Sequence, residues 1–443
     1  MSAAPPATLV ALATAPAAGA VGILRLSGPA ALEVGRGLAP RVPEAPVPRH
    51  AYLTPFVDGA GAVLDEGLFL YFRAPNSFTG EEVVELQAHG SPRLLRMLLA
   101  RALEHPEVRP AGPGEFTRRA FLNGRIDLTR AEAVADLVAA DSEAAVRAAA
   151  AGLAGALAQR VRALEEPLRA LHADLEGVLN FPDEAEGADE GAEARVASLR
   201  EAAEALVADA GRGRLVRRGA RVVLYGPVNA GKSTLFNRLL GEERALVDEE
   251  PGTTRDVLEA RVEWEGLGVV LLDTAGLRAA PGRIEALGIA RTREVLGGAD
   301  LAVLVLPPEA SEEEALVWSR EAVGTPVLRV LGKSDVAGPG RFEGLSVSGL
   351  TGAGVPALRT EILSRLWGGG APSAVALVSE RHADALRRSA EALSRAQEAC
   401  RLATLEVVSG EVGLALEALG EVSGITASEA LLDAIFQRFC IGK

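Results

Sequence analysis

Gly226-Pro227-Val228-Asn229-Ala230-Gly231-Lys232-Ser233 decides how this chain is read. The run fits GxxxxGK[ST], and the apolar stretch from Arg221 to Tyr225 stands before it. A strand that enters a glycine-rich turn and then a helix aims backbone N–H groups at phosphates, and the positive helix end strengthens the pull. Ser233 to Leu240 supplies the helix. Lys232 is expected to reach the β and γ phosphates and Ser233 to hold Mg²⁺, with Asn229, Ala230, Gly231 and Thr234 completing the phosphate cradle.

Downstream, β-forming runs at Val269 to Leu272, Leu301 to Leu306 and Val327 to Leu331 alternate with helical segments, the pattern of a parallel α/β sheet. Polar loops fall where such a sheet places ligand contacts. Asp248-Glu249-Glu250-Pro251-Gly252-Thr253-Thr254 follows the first helix, and Thr254 is expected to complete Mg²⁺ coordination beside a γ-phosphate. Asp273-Thr274-Ala275-Gly276 puts a carboxylate at a strand end facing the metal and a glycine N–H toward the γ-phosphate. In Lys333-Ser334-Asp335 a carboxylate can accept from guanine N1 and N2, which adenine cannot offer, and Ser348-Gly349 is the next base-contacting loop. In this order the motifs resemble the GTPase superfamily.

Two positions depart from that pattern. Gly332 stands where GTPases usually carry the Asn of Asn-Lys-x-Asp, which removes a side chain that ties the loop to the base and the P-loop. Leu277 replaces the Gln that often orients the attacking water, so another group must do that work. Asn229 is a candidate ligand for a monovalent cation, or else an amide that stabilises its own loop.

Composition sets the surroundings. A chain of 443 residues with 48% hydrophobic content has room for several cored domains, and 4% aromatics with abundant Ala, Leu and Gly favours helices over a β-sandwich. A net charge of −14 excludes a uniformly basic nucleic-acid binder. Arg212, Arg214, Arg217, Arg218 and Arg221 form a local basic run, either a solvated linker or a contact patch. Two cysteines, Cys400 and Cys440, cannot build a disulfide framework and suit a reducing cytosol. With no basic leader and no apolar run of membrane length, the expected location is cytoplasmic, with no membrane span.

The fold class expected is multidomain: an N-terminal α+β domain at 1–120, an α-helical domain beginning at 121–215, an inserted α/β P-loop GTPase domain at 216–371, and the second part of the helical domain at 372–443. Val146, Ala150, Leu153, Leu157, Val161, Leu164, Leu168, Leu171 and Leu175 recur as one apolar stripe of a long helix, kinked at Pro167. Asp183 to Glu190 reads as a loop and Gly368 to Pro372 as a linker. Leu386, Ala390, Leu393 and Cys400 share a helical face, which predicts a buried thiol at Cys400.

Beyond the GTPase motifs, the chain resembles the bacterial tRNA-uridine modification GTPases of the MnmE (TrmE) family over nearly its whole length. The residues that carry this are Ala11 to Thr14, Gly22 to Gly28, Ala74 to Glu82, Pro113 to Thr117, Ala120 to Leu128 and Phe439-Cys440-Ile441-Gly442-Lys443. The resemblance implies that the first domain binds folate and mediates a constitutive homodimer. It assigns Arg25, Glu85, Arg125 and Lys443 to a tetrahydrofolate derivative in its 5-formyl or methylene form. Cations suit a polyglutamyl tail and a carboxylate suits a pterin edge; the family also carries Lys at the third position, and Arg125 keeps that charge. Ala18 stands where the family has an arginine, which removes one N-terminal contact.

The resemblance further implies that Asn229 ligates K⁺, that Asp248, Glu250 and Thr253 lie in the loop wrapping the ion mainly through backbone carbonyls, and that Glu285 is the catalytic residue that positions water. Cys440 would be delivered with Lys443 to the folate site or to a bound uridine, or would pack as an ordinary thiol. The activity implied is K⁺-activated GTP hydrolysis that drives a complex with a flavoprotein partner of the MnmG (GidA) family, a heterotetramer. That complex makes a 5-carboxymethylaminomethyl-type modification at the wobble uridine of certain tRNAs. Two other readings stay open: an Era-type ribosome-assembly switch, which would carry a basic RNA-binding module after the GTPase domain, and a folate-dependent transferase with a regulatory GTPase.

Overall fold

The computed structural model describes residues 7–181, 183, 187, 190–241, 258–274, 293–336, 343–367, 379–424 and 428–442. The chain divides into two compact units, one made of Met1–Ala135, Leu153–Leu199 and Glu391–Lys443, the other of Asp136–Gly152 and Arg200–Ala390.

In the first unit, β1 (Thr8–Leu12), β2 (Val21–Ser27), β3 (Ala51–Val57), β4 (Val63–Phe72), β5 (Val83–His89) and β6 (Val108–Pro110) form a six-stranded sheet in the order β3-β4-β5-β2-β1-β6. Its pairings are antiparallel except β1 with β6. Alternation along β2 sends Leu24 and Leu26 into a core with Val34 and Leu38 of helix Ala31–Leu38 and with Leu95 and Leu98 of helix Pro92–Ala102. Arg25 falls on the opposite face, in register with Glu85 of β5.

Helix Ala156–Asn180 buries Leu164, Leu168, Leu171 and Leu175 and packs against helix Leu405–Ser423, with the Ser409 hydroxyl donating to Glu176 at 2.6 Å. The single long stripe expected from Val146 onward is two helices. Helix Glu143–Leu153 stops short of Gly155, which takes φ +88°, and Val146 is 45% exposed. A left-handed glycine ends a helix whatever apolar period continues beyond it.

In the second unit, β7 (Ala220–Tyr225), β8 (Leu258–Trp264), β9 (Leu267–Asp273), β10 (Leu301–Leu306), β11 (Val327–Leu331) and β12 (Leu345–Ser346) give the order β12-β11-β10-β7-β9-β8. All neighbours are parallel except the β8–β9 hairpin. Every residue of β10 is buried, as are all of β7 but Arg221, which is why these strands read as unbroken apolar runs. Helix Glu143–Leu153 adds Ala144, Ala145, Ala148 and Ala149 to this core beside Val262, Trp264, Leu267 and Val269. Alanines allow that close approach, and the Ala144 N–H donates to Gly266 O at 2.9 Å.

The basic run is not a linker. Helix Ala192–Arg218 continues through it, Arg217 pairs with Asp136 at 2.7 Å and Arg218 with Asp300 at 2.6 Å. Arg212 and Arg214 are exposed.

Trp264 is 1% exposed at the junction of the β8–β9 hairpin with this core. Trp264→Ala is expected to cost about 3–5 kcal/mol, the usual range for removing a buried aromatic. Hydrogen exchange of β8 and β9, followed by mass spectrometry, should rise to match; unchanged protection would refute the assignment.

Candidate functional site

The phosphate loop is shaped by three residues with positive φ. Gly226 takes φ +138°, Asn229 +62° and Gly231 +97°. A Cβ on Gly226 would stand 2.2 Å from Val305 O, so only glycine lets β7 turn away this close to β10. Asn tolerates the left-handed region better than most residues, which suits it to the loop apex. Lys232 opens helix Lys232–Gly241, is buried, and donates from Nζ to the carbonyls of Gly226 at 3.1 Å and Pro227 at 2.7 Å. Its charge is thereby held at the loop.

Next to it, the Ser233 hydroxyl donates to Asp273 Oδ2 at 2.8 Å, and Asp273 is fully buried at the end of β9. These are two hard oxygen donors, one on the first turn of helix Lys232–Gly241 and one at the end of β9, a donor set that fits Mg²⁺. Thr274 turns inward, donating to Leu224 O at 3.1 Å, so its hydroxyl braces β9 against β7.

A cavity of about 350 Å³ opens beside the loop, lined by Gly231, Thr234, Gly332, Lys333, Asp335 and Gly349 among others. Asp335 is exposed at its rim and accepts from the hydroxyl of Ser348, which is itself fully buried. The Ser334 N–H donates to Val347 O at 3.1 Å, joining the loop that carries Asp335 to the one that carries Ser348. A Cβ on Gly349 would stand 2.7 Å from Leu235 N, and Arg238 donates to the carbonyls of Gly349 and Leu350. Arg238 was not legible as a site residue, because a basic residue one turn along a helix has many uses.

The structure thus brings together Asn229, Ala230, Gly231, Lys232, Ser233, Thr234, Asp273, Thr274, Lys333, Asp335, Ser348 and Gly349 at the carboxyl edge of the parallel sheet, the usual ligand edge of such sheets. Asp248, Glu249, Glu250, Pro251, Gly252, Thr253, Thr254, Ala275, Gly276, Leu277 and Glu285 lie outside the described residues, as does Lys443.

In the first unit, Arg25 forms a salt bridge with Glu85 at 2.9 Å, donates to Gly442 O at 3.1 Å and lies over the Phe116 ring at 5.8 Å. The residues around Gly442 reach this point because Ile441 pairs with Pro113 and the Gly114 N–H donates to Cys440 O at 3.3 Å. Gly442 takes φ +94°, and a Cβ there would stand 2.3 Å from Leu12 O. Arg125 is exposed, its side-chain stem beside Gly80.

A second polar group in this unit escaped the sequence reading. Arg119 donates to Glu81 at 2.9 Å and to the carbonyls of Ala7 and Ser27, while the Ser27 hydroxyl meets Thr79 and Glu81, both at 2.7 Å. It ties the 74–82 segment to β2 and to helix Glu115–Leu122. A buried ion pair is tolerable only when so fully hydrogen-bonded.

Two family models match the chain: one described as the GTP-binding protein TrmE N-terminus, over residues 8–125, and one described as the MnmE helical domain, over 128–440. The chain belongs to the MnmE family of tRNA modification GTPases. A tRNA modification GTPase MnmE from Myxococcus xanthus is 77% identical over 98% of this chain and 99% of its own length. Those of Alkalilimnicola ehrlichii and Azoarcus are 44% and 42% identical over similarly complete spans.

The cysteines differ in the reverse sense to a simple core reading of Cys400. That thiol is half-buried rather than buried, at a cleft of about 640 Å³ lined by Ala194, Ala197, Gln397, Arg401 and Val408, because helix Glu380–Leu402 nears its end there. Its pKa is raised by burial and by the nearby Glu193 carboxylate. Cys440 is exposed. With a substoichiometric thiol reagent at neutral pH, Cys440 should label first, since a raised pKa leaves less thiolate at Cys400. Peptide mapping that found Cys400 modified first would contradict this.

Proposed function

We propose that this protein is a K⁺-activated GTP hydrolase that acts, with a flavin-dependent partner of the MnmG family, in forming a 5-carboxymethylaminomethyl-type modification at the wobble uridine of tRNA. The observation that carries the GTPase reading is the convergence of Lys232, Ser233 and Asp273 with the Asp335–Ser348 pair on one sheet edge. Family membership supports the role in tRNA modification.

The chemistry is attack of water on the γ-phosphorus, with cleavage of its bond to the β–γ bridging oxygen and release of GDP and phosphate. Lys232 and the loop N–H groups orient the phosphates and offset the charge that gathers on them. Ser233, Asp273 and Thr254 would hold Mg²⁺, and Asn229, with carbonyls of the Asp248 to Thr253 loop, would hold K⁺; these cations would supply charge stabilisation at the phosphates. Glu285 orients the water, the task that Leu277 cannot perform.

The arrangement in the first unit supports a folate site. Arg25 and Glu85 offer a paired cation and carboxylate, and the Ile441–Pro113 bridge brings the segment from Cys440 to Gly442 beside them. A tetrahydrofolate would there provide the one-carbon unit, within a homodimer formed through this domain. A cytoplasmic location follows from the substrate; among the described residues no helix is long and apolar enough to cross a membrane. An Era-type switch is disfavoured because the helices after the GTPase domain match the MnmE helical model.

Replacing K⁺ by Na⁺ should lower GTP turnover by about 10-fold or more, the scale on which one transition-state charge contact acts; equal rates in the two salts would sink the K⁺ assignment. Glu285→Ala should bind GDP as the parent does and lose hydrolysis, and a parental rate would remove Glu285 from its role. Nucleoside mass spectrometry of tRNA from a strain lacking the gene should show loss of the modified wobble uridine.

A further inference from the structure

Gly332 sets how the base is read. Its backbone is buried, its N–H donates to Leu306 O at 2.8 Å, and a Cβ there would stand 2.4 Å from Ala230 O and 3.1 Å from Val305 Cγ1. The loop that carries Asp335 is therefore seated directly on the phosphate loop, backbone against backbone, closer than any side-chain-bearing residue allows. Asn at this position would lose that seat. Lys333 follows in the left-handed region at φ +55°, with its stem within van der Waals reach of Gly231.

A purine offers two polar edges to a protein. Guanine presents N1–H and N2–H on one and N7 with O6 on the other. Asp335, oriented by the Ser348 hydroxyl, is an acceptor matched to the first edge. Among the described residues no carboxamide side chain lines the cavity, whose polar side chains there are Thr234, Lys333 and Asp335. N7 is an acceptor and calls for a donor, and the position from which GTPases usually supply an amide is here a glycine locked against Ala230.

We propose that this protein recognises guanine nucleotides without reading N7, so that discrimination rests on the N1 and N2 edge at Asp335 while Gly332 acts only by seating the loop. The proposal rests on the reading of this cavity as a guanine site. It distinguishes the two edges energetically. Removing the N2 amino group leaves Asp335 short of a partner, whereas replacing N7 by a C–H removes nothing the protein uses.

The test is displacement of N-methylanthraniloyl-GDP from the full-length protein by GDP, 7-deaza-GDP and inosine diphosphate. The expected result is 7-deaza-GDP within about 3-fold of GDP and inosine diphosphate weaker by about 10-fold or more, the size of a lost hydrogen bond to a charged acceptor. A loss of 10-fold or more on the 7-deaza substitution alone would overturn the proposal. Failure of GDP itself to displace the probe would instead overturn the guanine-site reading beneath it. Gly332→Ala supplies a second arm: it should weaken GDP and 7-deaza-GDP by the same factor, because the added methyl unseats the loop without touching a base atom. Unchanged GDP affinity in that variant, or a changed ratio between the two ligands, would count against the role given to Gly332.

Discussion

The nucleotide site depends on backbone touching backbone at the carboxyl edge of β7, β10 and β11. Gly226 lies against Val305 O, Gly332 against Ala230 O and Gly349 against Leu235 N, each closer than a Cβ permits. These three approaches place the phosphate loop, the Asp335 loop and the Ser348 loop around one cavity. The parallel sheet makes this possible: its buried, largely apolar central strands all leave the core at the same edge, so their loops must share the space above it.

Much of this was legible because phosphate and guanine chemistry demand particular residues at particular spacings. The loop from Gly226 to Ser233, Asp273 at a strand end and Asp335 after β11 could be read from residue type and order alone. The close seat of Gly332 could not. The sequence marks only a missing Asn, and whether the loop keeps its distance or moves in depends on Ala230, a hundred residues earlier, and on the neighbouring Val305. The same limit explains the helices. An apolar period of three or four residues continues smoothly from Val146 to Leu175, yet Gly155 in a left-handed conformation divides it, and the alanines before the break join a different core from the leucines after it.

The first unit shows the limit in charged residues. Arg25 and Glu85 face each other because antiparallel register puts them opposite, and register is a property of two strands. Arg119 looked like one more arginine on a helix. It is the centre of a group that joins Ala7, Ser27 and Glu81, so part of the 74–82 signature holds the fold together. Separating a residue that contacts a ligand from one that holds the contact in place needs the partners, and those came only with the fold.

Asp273 and Asp335 illustrate how environment divides roles between identical side chains. Asp273 is fully buried, where an ionised carboxylate is costly unless hydrogen bonds or a cation offset the lost hydration. The Ser233 hydroxyl is one group that offsets this cost, and an oxygen-seeking divalent cation would add to it. Asp335 stands exposed at the cavity rim and stays hydrated until a base covers it. In the proposed guanine site its selectivity would come from that exchange: a base that returns two N–H donors would replace the water, and one that returns fewer would leave a carboxylate poorly paired. The buried carboxylate is thus suited to an ion of fixed charge and the exposed one to a choice among bases, while Gly332 seats the loop of the second against the phosphate loop.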